Sequence, residues 1–367
     1  MANALKHIEL AIRRRVTGLL SGSREAMRVT EPADVLHLPD NARILLLRQD
    51  RIGDVLVSIP VMRALRNRLP FATIDMVLSP NNLAVRHAVA AYTDDIHVYR
   101  KSLSDVVGLL KALRRKRYDL VIDLMDNPST TSSMLVRWSG ARMALGIEKA
   151  NSGVYTHVVP LADRSSVHIV ERLARLLMPF GIDPSTEQLD LEYEVTDEER
   201  RKAMSILGLH DDGHIRLGVN ISGSDISRMY GEEAMTEVLT TIRHRHPGVD
   251  PYIFAAPPHK DMQMRIVEST GAVAVPIVPS FHEYACLLSL MDAIVTPDTS
   301  SVHLAAAWKT PSVVLFMHDD PGLMPWYPYM SPCRPLEAQQ GSISDIPREH
   351  VISAIDDMLR DFSILRS

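Results

Sequence analysis

Short apolar runs alternate along the chain with stretches in which apolar residues recur every three to four positions. This is the pattern of strands separated by helices. The first run is Ile44 to Leu47, followed by the loop Arg48 to Asp54. Val55, Ile59, Met62, Leu65 and Leu69 then recur at helical spacing, and Pro70 marks the exit. Thr73 to Leu78 predicts the next strand, so the whole segment reads as a βαβ unit. Further on, the spacing predicts a helix over Leu103 to Arg117, a strand over Leu120 to Leu124 and a helix over Val167 to Phe180. Between Gly181 and Glu199 the chain turns polar and acidic, which predicts a connection between domains with its boundary near residue 190.

The second half opens as the first does. A strand over Ile215 to Asn220 leads into the loop Ser222 to Asp225 and a helix from Gly231 to His244. His246-Pro247 then punctuates the chain before a strand at Tyr252 to Phe254. A helix at Glu283 to Leu290, a strand at Ala293 to Thr296, a helix at Ser301 to Ala307 and a strand at Ser312 to Phe316 follow. Residues 318 to 341, rich in proline and aromatics, read as loop, and Pro347 to Leu365 reads as a terminal helix. The economical architecture is α/β: two doubly wound domains facing a central cleft, with ligands at the carboxyl ends of the strands. The division is a basic extension over 1–40, one Rossmann-like domain over 41–190, a second over 191–340 and a helical segment over 341–367.

Composition narrows the class. With 367 residues the chain has room for two hydrophobic cores at about 150 residues each. Its 46% hydrophobic and 23% charged content excludes disorder, collagen and coiled coil. No apolar run approaches the roughly 18 to 20 residues of a membrane span. Two cysteines, Cys286 and Cys333, make neither a disulfide framework nor a zinc site by themselves, so a reducing compartment, the cytoplasm, is expected. A net charge of −5 argues against wholesale nucleic-acid binding. Residues 1–30 run against that average, with Lys6, Arg13, Arg14, Arg15, Arg24 and Arg28 set against Glu9 and Glu25. That stretch reads either as a basic amphipathic helix on the cytoplasmic face of an anionic membrane or as a solvated helix packed on the protein. It lacks the clean apolar core and cleavage site of a signal peptide.

Three loops carry candidate chemistry. Arg48 to Asp54 holds one glycine, Gly53, and neither GxGxxG nor a P-loop, which removes most of the case for a dinucleotide. Asp54 stands where the loop becomes a helix, and serves either as a cap of the first turn or as a general base. The loop Ser222 to Arg228 suits a diphosphate, with amides and hydroxyls as donors and Arg228 as the cation, or is a polar turn. Between Thr296 and His303, one carboxylate, several hydroxyls and an imidazole gather at a helix start: Asp298 and Ser300 read as plain N-caps and His303 as a core histidine, or the group, more than a single cap requires, reads as an exposed helix start facing an anionic ligand. No metal-binding spacing and no nucleophile elbow is present, so no metal and no cofactor is expected. Arg100, Lys101, Lys111, Arg114, Arg115, Lys116 and Arg117 face one acid, Asp105. With Arg51, Arg63, Arg66 and Arg68 they make the first half locally basic, as a solvated face or toward an anionic glycolipid acceptor.

The segment ILLLRQDRIGDVLVSIPVMRALRNRLP resembles the opening of the heptosyltransferase-like glycosyltransferases, glycosyltransferase family 9. SFHEYACLLSLMDAIVTPDTSSVHLAAAWKTPSVVLF resembles their donor-binding segment, and NISGSDISRMY lies between the two. The resemblance implies a GT-B fold and an inverting, metal-independent glycosyl transfer. Its best-known members take heptose from ADP-heptose and build the lipopolysaccharide core. By motif, Asp54 is implied as the base. Gly223, Ser224 and Arg228 are implied to hold the diphosphate, and Asp298, Thr299, Ser300 and His303 the nucleotide sugar. Arg51, Arg63 and Arg66 are the acceptor-side candidates. The chain departs from the family pattern in carrying DTS where DTG is frequent, Arg228 where lysine is common and Tyr230 where tryptophan is usual. It also carries Ala255 to Lys260 where glycine and glutamate are expected. The alternatives are a glycosyltransferase using another nucleotide sugar and a non-catalytic nucleotide-sugar-binding protein.

Overall fold

The computed structural model describes residues 25–209, 213–318, 320–339 and 341–365. The basic cluster of Lys6, Arg13, Arg14, Arg15 and Arg24 lies outside them. Contacts divide the chain into two compact units, one up to Leu189 and one from Asp190.

The first unit runs β1 (Met27–Arg28), β2 (Arg43–Leu47), α1 (Ile52–Leu56), α2 (Ile59–Arg68), β3 (Thr73–Leu78), α3 (Arg86–Val89) and β4 (Asp95–Val98). It continues with α4 (Leu103–Lys116), β5 (Leu120–Asp123), α5 (Thr130–Trp138), β6 (Met143–Ile147), β7 (His157–Val159) and α6 (Ile169–Ala174). Its seven strands are ordered β1-β7-β6-β5-β2-β3-β4, and the neighbours are parallel. Ile44 to Leu47 are fully buried in the middle of this sheet. A parallel strand covered on both faces must be apolar on both, which is why the run is continuous rather than alternating. The winding reverses between β2 and β5. Their carboxyl ends therefore flank a switch point, where open α/β sheets take their ligands.

Several elements here escape the hydrophobic pattern. β4 is a polar edge strand, and β7 has only three residues. Residues 25 to 40, grouped by sequence with a basic extension, belong to the unit. β1 pairs with β7, Asp34 bridges Phe180, and Val29 and Leu36 are buried. The helix expected over Val167 to Phe180 is α6 followed by one 3-10 turn at Arg175–Leu177.

The second unit runs α7 (Asp197–Leu207), β8 (Ile215–Asn220), α8 (Glu232–Arg245), β9 (Val249–Phe254), α9 (Lys260–Thr270) and β10 (Val273–Ala274). Then come α10 (Phe281–Leu288), β11 (Ala293–Pro297), α11 (Ser300–Trp308), β12 (Ser312–Met317), β13 (Cys333–Ala338) and α12 (Arg348–Leu365). The strand order β10-β9-β8-β11-β12-β13 repeats the winding of the first sheet, with the reversal between β8 and β11.

Three expectations change in this unit. The acidic residues Asp197 to Glu199 form the first turn of α7, not a connection. Thr196 and Glu199 cap it reciprocally, and negative charge suits that end of the helix dipole. β9 begins at Val249 and runs through Pro251; pairing with β10 starts only at Tyr252, so the proline costs no bond on that side. The loop expected over 318 to 341 contains β13, whose Pro335 is tolerated because the strand is an edge. α12 sets Val351, Ile355, Met358 and Leu359 into the core with Val238, Leu239 and Ile242 of α8. Among the described residues no helix is long and apolar enough to cross a membrane.

Gly146 in β6 marks a close approach: a Cβ there would lie 2.6 Å from the ring of Tyr155. Gly146→Ala is expected to destabilise the first unit by about 1–3 kcal/mol through overpacking. Urea unfolding checks this, and an unchanged midpoint would refute it.

Candidate functional site

At the switch point of the first sheet, β2 ends in a buried cation. The Arg48 guanidinium is about 2% exposed. Its Nε donates to the Asp54 carbonyl at 2.8 Å, Nη1 to the Leu124 carbonyl at 2.6 Å, and Nη2 to Asp54 Oδ1 at 3.2 Å. Asp50 Oδ2 lies 3.5 Å from Nη1. Arg48 thus ties β2 to the end of β5 and to α1 at once. The other Asp54 oxygen, Oδ2, accepts the Arg51 amide at 3.1 Å. Asp54 is therefore both a cap and a fixed, 14% exposed carboxylate. Burial opposes the charge on Arg48, but Asp50, Asp54, Asp126 and Asp123 outweigh it and raise its pKa. Burial pushes Asp50 up to about 6, against the pull of Arg48 and helped by Asp54. Asp50 Oδ1 is buried without a hydrogen-bond partner.

More ion pairs line the same edge beyond β5. Asp123 takes Lys149 at 3.0 Å and the Tyr155 hydroxyl at 2.6 Å, and Asp126 faces Arg172 at 3.1 Å and Arg164 at 3.5 Å. Arg48, Lys149, Arg164 and Arg172 thus meet Asp50, Asp54, Asp123 and Asp126. The edge is balanced in charge rather than cationic.

At the switch point of the second sheet, the loops after β8 and β11 are joined by Arg228, whose Nη1 donates to Asp298 Oδ2 at 2.9 Å. Asn220, the last residue of β8, donates to Thr296 Oγ1 at 3.0 Å and Thr299 Oγ1 at 3.2 Å. Thr299 caps α11 by accepting the Ser301 amide, and Ser301 Oγ lies 2.7 Å from the Tyr284 hydroxyl. Burial pushes that phenol up to about 12, so it stays protonated. Asp298, Thr299 and Ser300 are half-exposed at the helix start, whereas His303 is buried against the ring of Trp326 at 6.1 Å.

The β8 loop is braced from several sides. A Cβ on Gly223 would fall 1.9 Å from the Arg228 carbonyl oxygen, so only glycine lets the loop fold back on itself. Ser342 Oγ donates to the Ser227 carbonyl, and the Tyr230 hydroxyl donates to the Ile346 carbonyl, each at 2.9 Å. Ser222 Oγ accepts the Ala256 amide and lies 2.8 Å from His259 Nδ1. Hydroxyls of Ser227 and Ser224 hold Asp225 below the ordinary carboxylate range.

The sequence profile of glycosyltransferase family 9 (heptosyltransferase) matches residues 106–351. The chain belongs to glycosyltransferase family 9. Lipopolysaccharide heptosyltransferase 3 of Escherichia coli is 26% identical over 340 residues, covering 84% of this chain and 95% of that protein. A family 9 glycosyl transferase from Veillonella parvula superposes with a TM-score of 0.74 at 21% identity, over 88% of this chain and 98% of the other. The Escherichia coli heptosyltransferase WaaC, solved with ADP-2-deoxy-2-fluoro heptose, gives 0.67 at 18% identity over 86% and 99%. The two parallel α/β sheets of this family 9 glycosyltransferase therefore have the GT-B-like fold of known heptosyltransferases.

Most of the residues singled out from sequence fall at the two switch points. Asp54 and Arg51 stand together at the first. Gly223, Ser224, Arg228, Asp298, Thr299, Ser300 and His303 gather at the second. Arg66 does not join them. It sits in the last turn of α2, at the other end of the sheet, donating to the carbonyls of Ala72 and Tyr92 and to Asp94. Arg63 donates to the Gln188 carbonyl. Arg48, Asp50 and Asn220 were passed over, although a lone polar residue closing an apolar strand was a visible signal in the case of Arg48 and Asn220.

Asp50 yields a pH-dependent prediction. Its pKa is higher in the native state, so between about pH 4 and 6 the folded enzyme binds more protons than the unfolded chain. Its contribution to stability is therefore lost as pH rises through that window. Relative to Asp50→Asn, the wild type should lose about 2–3 kcal/mol between pH 4 and 7.5, at roughly 1.4 kcal/mol per pKa unit. Parallel stability-against-pH curves in urea would contradict it.

Proposed function

We propose that this enzyme is an inverting, metal-independent heptosyltransferase. It moves a heptose from ADP-heptose to a lipopolysaccharide-core or other cell-surface saccharide, an anionic glycolipid acceptor. The observation that carries this reading is that each switch point fixes a side chain of the charge the transfer requires, the Asp54 carboxylate in the first unit and the Arg228 guanidinium in the second.

Asp54 takes the proton of the acceptor hydroxyl as that oxygen attacks the anomeric carbon of the donor. The bond to the diphosphate breaks on the opposite face, and the configuration inverts. Arg48 and the Arg51 amide hold the Asp54 carboxylate in one orientation, so little reorganisation is needed during proton transfer. Negative charge builds on the departing diphosphate. Arg228, Gly223, Ser224 and the start of α11 with Thr299 and Ser300 receive it, combining a guanidinium with backbone amides, hydroxyls and a favourable dipole. Asp298 fixes Arg228, while His303 and Trp326 form the aromatic side of the donor site. Arg51, exposed beside Asp54, contacts the acceptor. The ADP-sugar analogue bound by WaaC supports an adenine nucleotide as donor.

A second reading, the same transfer from a different nucleotide sugar, rests on His259. Its ring holds Ser222 where the family pattern has glycine and glutamate. Calorimetry with ADP-heptose against GDP and UDP sugars separates the two readings, since loss of the preference for adenine would discard heptose.

Asp54→Asn is expected to lower kcat by about 100- to 10,000-fold with donor affinity nearly unchanged. Arg228→Ala should weaken donor binding by about 10- to 100-fold. Full turnover in Asp54→Asn would end the assignment of the base.

A further inference from the structure

We propose that the outward face of α4, with the Arg100-Lys101 turn leading into it, docks on an anionic lipid bilayer. α4 is fixed to the first unit by Leu109 and Leu113, both buried. On its other side Leu103, Val107, Lys111 and Arg115 recur every four residues, and all are exposed. Residues at that spacing form one stripe along a helix. Leu103 is 80% exposed and Val107 is 43% exposed. A single exposed leucine is ordinary, but two apolar side chains at the head of a stripe that ends in cations serve no packing role.

The surrounding charge is predominantly positive. Arg100, Lys101, Lys111, Arg115 and Arg117 are exposed, and among the described residues none of them is ion-paired with a carboxylate. Lys116, in contrast, is spent on Asp75 and Asp95. The one acid of the helix, Asp105, accepts the Ser102 hydroxyl at 2.6 Å in the N-terminal cap. A soluble polyanion would reward the cations and gain nothing from Leu103 and Val107. A bilayer of anionic lipid rewards both, headgroups pairing with cations while apolar side chains enter the interface.

The topology gives the surface its use. α4 leaves the carboxyl end of β4, so Leu103 and Val107 stand at the edge of the sheet from which Asp54 projects. β4 is two strands from β2, about 10 Å. A bilayer held there meets the same carboxyl edge of the sheet as the base. Only this last step, delivery of a lipid-linked acceptor, rests on the proposed function.

The full-length protein is sedimented with vesicles of phosphatidylcholine alone and with vesicles containing phosphatidylglycerol. Binding is expected only to the anionic vesicles and should fall as salt rises. Lys101→Glu/Lys111→Glu/Arg115→Glu should reduce partitioning by about 100-fold or more. Leu103→Ser/Val107→Ser should reduce it by about tenfold. The urea unfolding midpoint, measured in the same variants, should stay constant and show that they fold. Failure to bind anionic vesicles, or binding that survives both variants, would overturn the proposal. So would a Leu103/Val107 variant that binds vesicles as the wild type does, because the face would then recognise charge alone.

Discussion

A buried guanidinium organises the first unit. Taking Arg48 out of water is costly, and the cost is offset only because carbonyls and carboxylates converge on it from three directions. Those partners come from the end of β2, the end of β5 and the first turn of α1. The same contacts that satisfy the cation therefore fix how the central strands, the loop and Asp54 sit together. A residue with less hydrogen-bonding reach could not do this: lysine offers a point charge, while arginine offers a planar fork that reaches a carbonyl and a carboxylate together.

The second unit solves a similar problem mainly with neutral groups. Asn220 closes β8 and reaches the threonines of the β11 loop, and Arg228 completes the link at the surface through Asp298. In both sheets a polar side chain at the end of the first wound strand bridges to the strand across the reversal. The two units use one architectural device with different chemistry, ionic in one and amide-hydroxyl in the other.

The central strands were legible because burial on both faces demands continuous apolar runs, as in Ile44 to Leu47 and Val313 to Phe316. Edge elements were not. β4, β13 and the start of β9 carry charge or proline, since an edge or an unpaired side tolerates what a central strand excludes. The acidic opening of α7 read as a linker because its helical character lies in reciprocal capping rather than in apolar periodicity. Motif spacing singled out Asp54, Arg228 and Asp298, which the structure places at the two switch points. It did not reveal the roles of Arg48 and Asp50, which arise from burial and, for Arg48, from a bond to the Leu124 carbonyl across the sheet. It also overstated Arg66, because a cation near a motif in sequence can be spent at the opposite end of a helix.

The bracing of the β8 loop has a consequence for how the chain is made. Ser342 and Ile346, which hold Ser227 and Tyr230, are separated from them by more than a hundred positions and stand just before the final helix. The first unit, in contrast, is complete once β1 has met β7 and Asp34 has met Phe180. During synthesis from the amino terminus, the lobe carrying Asp54 can close on the ribosome while half the chain is still to come. The Arg228 loop gains its last supports only when almost the whole polypeptide has emerged, so a nascent or prematurely ended chain would own the carboxylate without the braced guanidinium.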